Sequence, residues 1–325
     1  MVADLGSGLV SRVLITGAAG MLGRKLAARL TDVDEVLLHD IVEPSPPAGA
    51  RYRSRSAASD LAAPGEAEKL VAARPELIFH LAAIVSGEAE ADFDKGYRVN
   101  LDGTRRLFDA VRAAGYKPRV VFASSIAVFG APFPEAIGDE FLCAPLTSYG
   151  TQKAIDELLL ADYSRRGFFD GVGIRLPTIC VRPGKPNRAA SGFFSGILRE
   201  PLAGQEALLP VAKTVRHWFA SPRAGVGFLL HAARLDSAQL GARRNLTMPG
   251  ISATVGEQIE ALRRVAGDAA VRLIREQPDP VIQKIVEGWP RNFDARRATQ
   301  LGFRADASFD DIIRAHIEDE RPRPS

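Results

Sequence analysis

The sequence predicts an α/β protein built on a doubly wound parallel sheet, with a smaller C-terminal lobe. Three observations predict it. Short apolar runs with β-branched members alternate with helix-periodic segments, the signature of βαβ units. A glycine-rich turn joins the first run to the first helix. The alternation then breaks after Pro177, where Pro, Gly, Arg and Ser crowd Val181 to Leu209.

Each element follows in order. RVLIT, Arg12 to Thr16, is a short apolar run that reads as a buried parallel strand. Leu22, Leu26, Ala27 and Leu30 then carry a helical period, and EVLLH ends a second strand at Asp40. Pro44 to Ser59, rich in Pro, Ser and Arg, reads as a loop. Gly65 to Ala73 is helical and stops before Pro75; LIFHL, Leu77 to Leu81, is a strand. Tyr97 to Ala114 reads as one long helix, Arg119 to Ala123 as a strand, Thr147 to Tyr163 as a helix and Val172 to Arg175 as a strand. Further on, a helix at Ala224 to Ala233 and a strand at Asn245 to Met248 rejoin the sheet. Helices over Thr254 to Val265, Asp279 to Glu287, Asp294 to Leu301 and Phe309 to Glu318 complete the chain.

The 325 residues are 46% hydrophobic and 25% charged, with a net charge of +3, which is ordinary for a globular protein with a large core. Basic residues are spread along the chain, so no nucleic-acid partner is expected. Two cysteines, Cys143 and Cys180, and five histidines make no metal motif, so no metal is expected. No apolar run spans a bilayer and the start lacks a signal peptide, which makes a cytoplasmic location and no membrane partner the expectation.

The turn reads Gly17-Ala18-Ala19-Gly20-Met21-Leu22-Gly23. Small residues let the backbone approach a pyrophosphate, and Gly23 lets the helix pack closely on the sheet. Without a ligand, the same text would be a tight strand-helix turn. Asp40 stands 17 residues after Gly23, where a carboxylate can bond both ribose hydroxyls and repel a 2′-phosphate. The expected cofactor is therefore NAD. Ser59-Asp60-Leu61 stands where a third strand should end, placing Asp60 to bond an adenine amino group with Leu61 behind it. On this reading residues 1–179 with 220–250 form the NAD-binding domain, and residues 180–219 with 251–325 form the substrate lobe.

Tyr149 and Lys153 are four apart, one helical turn on the same face. A phenol is a poor base near neutrality, and an adjacent ammonium favours phenolate. The pair is a way to build a general base for an alcohol proton, although a solvated helix face shows the same spacing. Ser124 and Ser125 close the strand before it.

Together, GAAGMLG, Asp40, SDL, HLAA at His80 to Ala83, RVNLDGT, FASSIAVFG and SYGTQK resemble the extended short-chain dehydrogenase/reductase family. The resemblance implies a Rossmann fold, NAD, and a Ser-Tyr-Lys site in which Lys153 also bonds the nicotinamide ribose. It implies that Ser125 orients the substrate oxygen, with Ser124 as the alternative. Asn100 is implied either to hold a water beside Lys153 or to pin its helix. Ala82 is implied to line the cofactor, and Pro177 and Thr178 to flank the carboxamide. Members of this family are often dimers, so a homodimer through the Tyr97 and Thr147 helices is an expectation.

RLPTICVRPG and VRHWFASPRAG depart from the text of sugar-nucleotide epimerases, and Phe129 stands where those carry Tyr. These segments instead resemble a branch that oxidises C2 of a small four-carbon sugar acid. A carboxylate wants a guanidinium or ammonium, and Arg182, Lys185 and Arg216 stand in the departing segments. Ser86, Asn187 and His217 are their polar neighbours; His80, in an apolar run, reads as a core histidine. Two rivals share the motifs: a sugar-nucleotide 4-epimerase or dehydratase, and a non-catalytic NAD-sensing protein.

Overall fold

In the computed structural model, which describes residues 10–184 and 191–320, seven parallel strands form the central sheet. We label the first five β1 (Arg12–Thr16), β2 (Glu35–Asp40), β3 (Arg53–Ala58), β4 (Leu77–His80) and β5 (Arg119–Ser125). Across the sheet the order is Asn245–Thr247, Asp170–Leu176, β5, β4, β1, β2, β3. Strand order reverses between β1 and β4, and ligands of open α/β sheets bind at such a reversal, outside the carboxyl ends of the strands.

Apolar strands are explained by burial on both faces. One face packs Leu26, Leu38, Phe79, Phe228 and Phe303; the other packs Leu14, Leu107, Phe108, Phe122 and Leu160. The edge strand β3 corrects the expected loop over Pro44 to Ser59. Its RSRSAA text has no apolar run because it pairs with β2 alone and leaves its other side to solvent.

Helices hold three further differences. The long helix expected from Tyr97 begins as a π-helical segment, Tyr97–Asp102, before the α-helix Gly103–Ala113. Short helices Ser86–Ala91 and Phe93–Gly96 precede it. Gly192–Leu202, within the Pro- and Gly-rich stretch, is a helix whose Phe194, Ile197 and Leu198 are fully buried.

Beyond the main sheet, Thr178–Ile179, Arg216–Ala220 and Ile251–Thr254 make a three-stranded sheet, with Arg216–Ala220 in the middle. Its core joins Phe194, Phe219, Ile259, Leu262 and Ile312. The helix Val255–Val271 starts with a reciprocal cap between Thr254 and Glu257 and is broken at Gly267, whose φ is 81°. Among the described residues no helix is long and apolar enough to cross a membrane, and no group of side chains is placed to hold a metal.

Candidate functional site

Residues after β1 form the cradle the sequence suggests. Gly17 has φ +75°, and a Cβ there would lie 2.7 Å from the Ala82 nitrogen; a Cβ on Gly23 would lie 2.3 Å from the Gly17 carbonyl oxygen. A side chain at Gly17 would collide with the Leu81–Ala82 backbone, and one at Gly23 would push the helix off the turn. No side chain caps the helix Met21–Ala27, which leaves the Met21 and Leu22 end of the turn open to a ligand. Asp40 closes the cradle. Its Oδ2 accepts from the Ala19 N–H at 2.9 Å and its Oδ1 from the Ile41 N–H at 2.7 Å. The carboxylate thus stands beside the turn at the end of β2, as a ribose-binding acid should. These residues fit a dinucleotide.

Asp60 fits its expected role less well. One oxygen accepts from the Ala62 N–H at 2.9 Å, and the other is paired with Arg98. Leu61 is buried against Ala67 and Leu70 rather than exposed to a base. Ala82 sits against Gly17, its N–H 3.4 Å from Thr16 Oγ1.

The second half of the site hangs on the helix Ser148–Arg165, capped by Thr147 Oγ1, which accepts from the Gly150 N–H at 3.0 Å. Gly150 is what lets this helix approach: a Cβ there would lie 2.2 Å from the Ala127 carbonyl oxygen, just beyond Ser125. Lys153 is buried, donates to the Ala123 carbonyl at 3.0 Å, and lies 5.9 Å from the centroid of the Tyr149 ring. Burial lowers its pKa to about 8, opposed by Asp156 and Glu157. Tyr149 hydrogen-bonds Ser125, but burial pushes the phenol up to about 12. Ser125 and the Arg182 guanidinium pull it back only in part.

Ser124 faces away from this site. Its hydroxyl donates to Glu157 at 2.6 Å, and Glu157 in turn forms a buried fork with Arg175 at 2.7–3.1 Å. Neighbours on a strand point to opposite faces, so only Ser125 reaches Tyr149, and the expected substrate contact of Ser124 does not fit. Asn100 is fully buried. Its Oδ1 accepts from the Ile84 N–H at 2.9 Å, and its Nδ2 donates to Ile84 O at 3.2 Å and to Gln152 Oε1 at 2.7 Å. The side chain ties the loop after β4 to the Tyr149 helix. His80 is the core histidine expected, held by Thr16 and Thr104 at 2.7 and 2.9 Å, with its pKa lowered by burial to about 3.

Of the two expected guanidinium ligands among the described residues, Arg182 and Arg216, it is Arg182 that comes near Tyr149, within reach of its charge. Its Nε donates to Ile179 O at 3.1 Å and its Nη2 to Ser191 Oγ at 3.3 Å. Among the described residues no carboxylate pairs with it. Arg216 is already bonded to Glu257 at 3.2 Å and to Ser252 O at 3.1 Å. It lines a separate cleft of about 730 Å³ with Phe133, Glu135 and Arg291, away from Tyr149, so the structure does not bring it to the site. Lys185 and Asn187 lie outside the described residues. Ser86 is half-buried at the start of its short helix. Pro177 and Thr178 follow the strand whose Leu176 is in register with Ser125, so both emerge at the same sheet edge. Sequence reasoning missed Gly150, Gln152, Glu157 and Arg175; their spacing along the helix and strand was visible, their partners were not.

Comparison with known proteins agrees with this geometry. The model of the NAD dependent epimerase/dehydratase family matches residues 13–221. D-erythronate dehydrogenase of Cupriavidus necator is 48% identical over 94% of this chain and 98% of its own. The Haemophilus influenzae D-erythronate dehydrogenase is 42% identical over 94% of this chain and 99% of its own. A crystal structure described as a nucleoside-diphosphate-sugar epimerase from Agrobacterium tumefaciens superposes with a TM-score of 0.93 at 64% identity, covering 97% of both chains. With the glycine cradle, the acid after β2 and the Ser-Tyr-Lys group in place, the chain belongs to the NAD-dependent epimerase/dehydratase family.

Proposed function

We propose that this protein oxidises the C2 hydroxyl of D-erythronate to the 2-keto acid, with NAD as oxidant. The observation that carries the reading is Arg182: a guanidinium beside Tyr149 with no carboxylate partner among the described residues, in a chain 48% identical to a D-erythronate dehydrogenase. The Gly17–Gly23 turn and Asp40 would hold NAD, which when bound supplies the hydride acceptor and a positive ring near Tyr149. Ser125 donates to the substrate oxygen and holds it against Tyr149. Tyr149, as the phenolate that the positive charges gathered around it would favour once NAD is bound, takes the hydroxyl proton as the C2 hydride leaves, so one proton and one hydride depart and a carbonyl remains. Lys153, whose ammonium lies 5.9 Å from the centroid of the phenol ring, adds positive charge beside it and would bond the nicotinamide ribose. Arg182 binds the carboxylate and sets which carbon faces Ser125. Residues 1–179 with 220–250 serve as the cofactor domain and the remainder as the substrate lobe. The protein works in the cytoplasm, as a homodimer through the Tyr97 and Thr147 helices.

A second reading, a nucleotide-sugar epimerase, has the description of the Agrobacterium tumefaciens structure in its favour. The two differ in net redox. Purified protein with added NAD and four-carbon sugar acids should form NADH in proportion to the acid consumed. Epimerisation of UDP-sugars without net NADH, and no turnover of erythronate, would select the epimerase.

A further inference from the structure

We propose that His217 is a positioning residue that fixes the direction of the Thr178 hydroxyl, so that Thr178 offers only an acceptor to the N–H of the nicotinamide carboxamide. The argument begins at the other side of the ring. His217 Nδ1 lies 2.8 Å from the Pro290 carbonyl oxygen, and a carbonyl only accepts, so Nδ1 carries the hydrogen. Burial and the Arg182 charge hold the imidazole neutral, with a pKa lowered to about 4. A neutral ring protonated on Nδ1 has a bare lone pair on Nε2. Thr178 Oγ1 lies 2.7 Å from that nitrogen and must give it its only hydrogen. What remains on Thr178 is lone pairs.

Packing prevents the ring from turning to another arrangement. His217 is 3% exposed, stacks on Phe194 at 5.4 Å with an interplanar angle of 3°, and lies 5.3 Å from Trp289. Thr178 is half-exposed and follows Leu176, which is in register with Ser125, so it emerges at the same end of the sheet, where its free lone pairs would meet a nicotinamide. This step rests on the reading that the nicotinamide lies there. The carboxamide nitrogen is the donor that the ring carries into that space. A threonine without His217 could rotate and donate to the carboxamide oxygen instead, which would turn the amide over. The histidine removes that choice.

The test uses the full chain without sugar acid, and so is independent of the substrate assigned above. Dissociation constants are measured by calorimetry for NAD and for its 3-acetylpyridine analogue, whose methyl ketone keeps the carbonyl and loses the N–H. The parent should prefer NAD by about threefold to tenfold, the value of one hydrogen bond. Thr178→Val and His217→Phe should bring the ratio to about one. Thr178→Ser and His217→Gln, which keep the hydroxyl and an acceptor near Nε2, should preserve it. A parent that binds both dinucleotides equally overturns the proposal, as does a folded His217→Phe with the parent ratio. Should His217→Phe fail to fold, an unchanged ratio in Thr178→Val overturns it by itself. Failure here leaves erythronate oxidation untouched, and failure of erythronate turnover leaves these ratios untouched.

Discussion

Replacing Arg182 by Met should raise KM for the sugar acid about tenfold to a hundredfold. A charge-assisted hydrogen bond to a carboxylate contributes roughly 1.5–3 kcal/mol, and about 1.4 kcal/mol corresponds to tenfold in affinity. Methionine keeps much of the aliphatic stem and gives up the guanidinium's bonds to the Ile179 carbonyl and Ser191. A second effect follows from charge. Arg182 is one of the groups that pull the Tyr149 phenol down against burial. Its removal leaves the phenol higher, so the rise of rate with pH should move to higher pH. That shift acts on the base and not on the carboxylate, so it should appear equally with erythronate and with a neutral analogue such as its lactone. The KM rise should appear with the acid alone. The assay is initial NADH formation from acid and lactone, across a pH series, for parent and variant. An unchanged KM for the acid, or a parent that turns over the lactone as well as the acid, refutes the anchor.

Tyr149→Phe should lose turnover below a few per cent of the parent kcat while calorimetric NAD binding persists, since only the proton acceptor is removed. Asp40→Ser should narrow the preference for NAD over NADP, because the carboxylate beside the Ala19 N–H is the group a 2′-phosphate would meet as a like charge; equal use of both cofactors by the parent would contradict this. Glu157→Gln leaves the buried Arg175 guanidinium without its counter-charge and should lower stability by about 3–5 kcal/mol in denaturant unfolding, whereas a loss under 1 kcal/mol, about what an exposed ion pair is worth, would mean the pair is solvated. His80, whose pKa falls from 6.5 to about 3 in the fold, contributes stability that is present above pH 6.5 and lost as pH falls towards 3. His80→Gln should flatten that part of the acid unfolding curve, and an unchanged slope would mean that the buried ring does not titrate with unfolding.

Local text carried the cofactor half of the site. The glycines of the first turn, the strand ending in Asp40 and the Tyr-Lys spacing are each set by neighbours within about one turn or one strand. β3 was hidden because an edge strand needs no apolar face, and RSRSAA pairs through its backbone alone. The choice between Ser124 and Ser125 was invisible for a related reason: alternation says that one faces in, and only Glu157 shows which. Arg182 and Arg216 look alike as text. They differ by a single tertiary fact, since Glu257 stands beside one and no described carboxylate beside the other. The helix Gly192–Leu202 was masked by flanking Pro and Gly, although its Phe194, Ile197 and Leu198 carry a helical period.

The tie from Ser124 through Glu157 to Arg175 joins the base-bearing helix to two adjacent strands of the main sheet. Tyr149, Lys153 and Ser125 therefore ride on one body, tied together by bonds among residues of the main sheet and its helix. Arg182 hangs instead from the Ile179 carbonyl, Ser191 and Ser195. A chain built this way can exchange the molecule it recognises by rewriting a short stretch after Thr178 while the arrangement of Ser125, Tyr149 and Lys153 stays as it was.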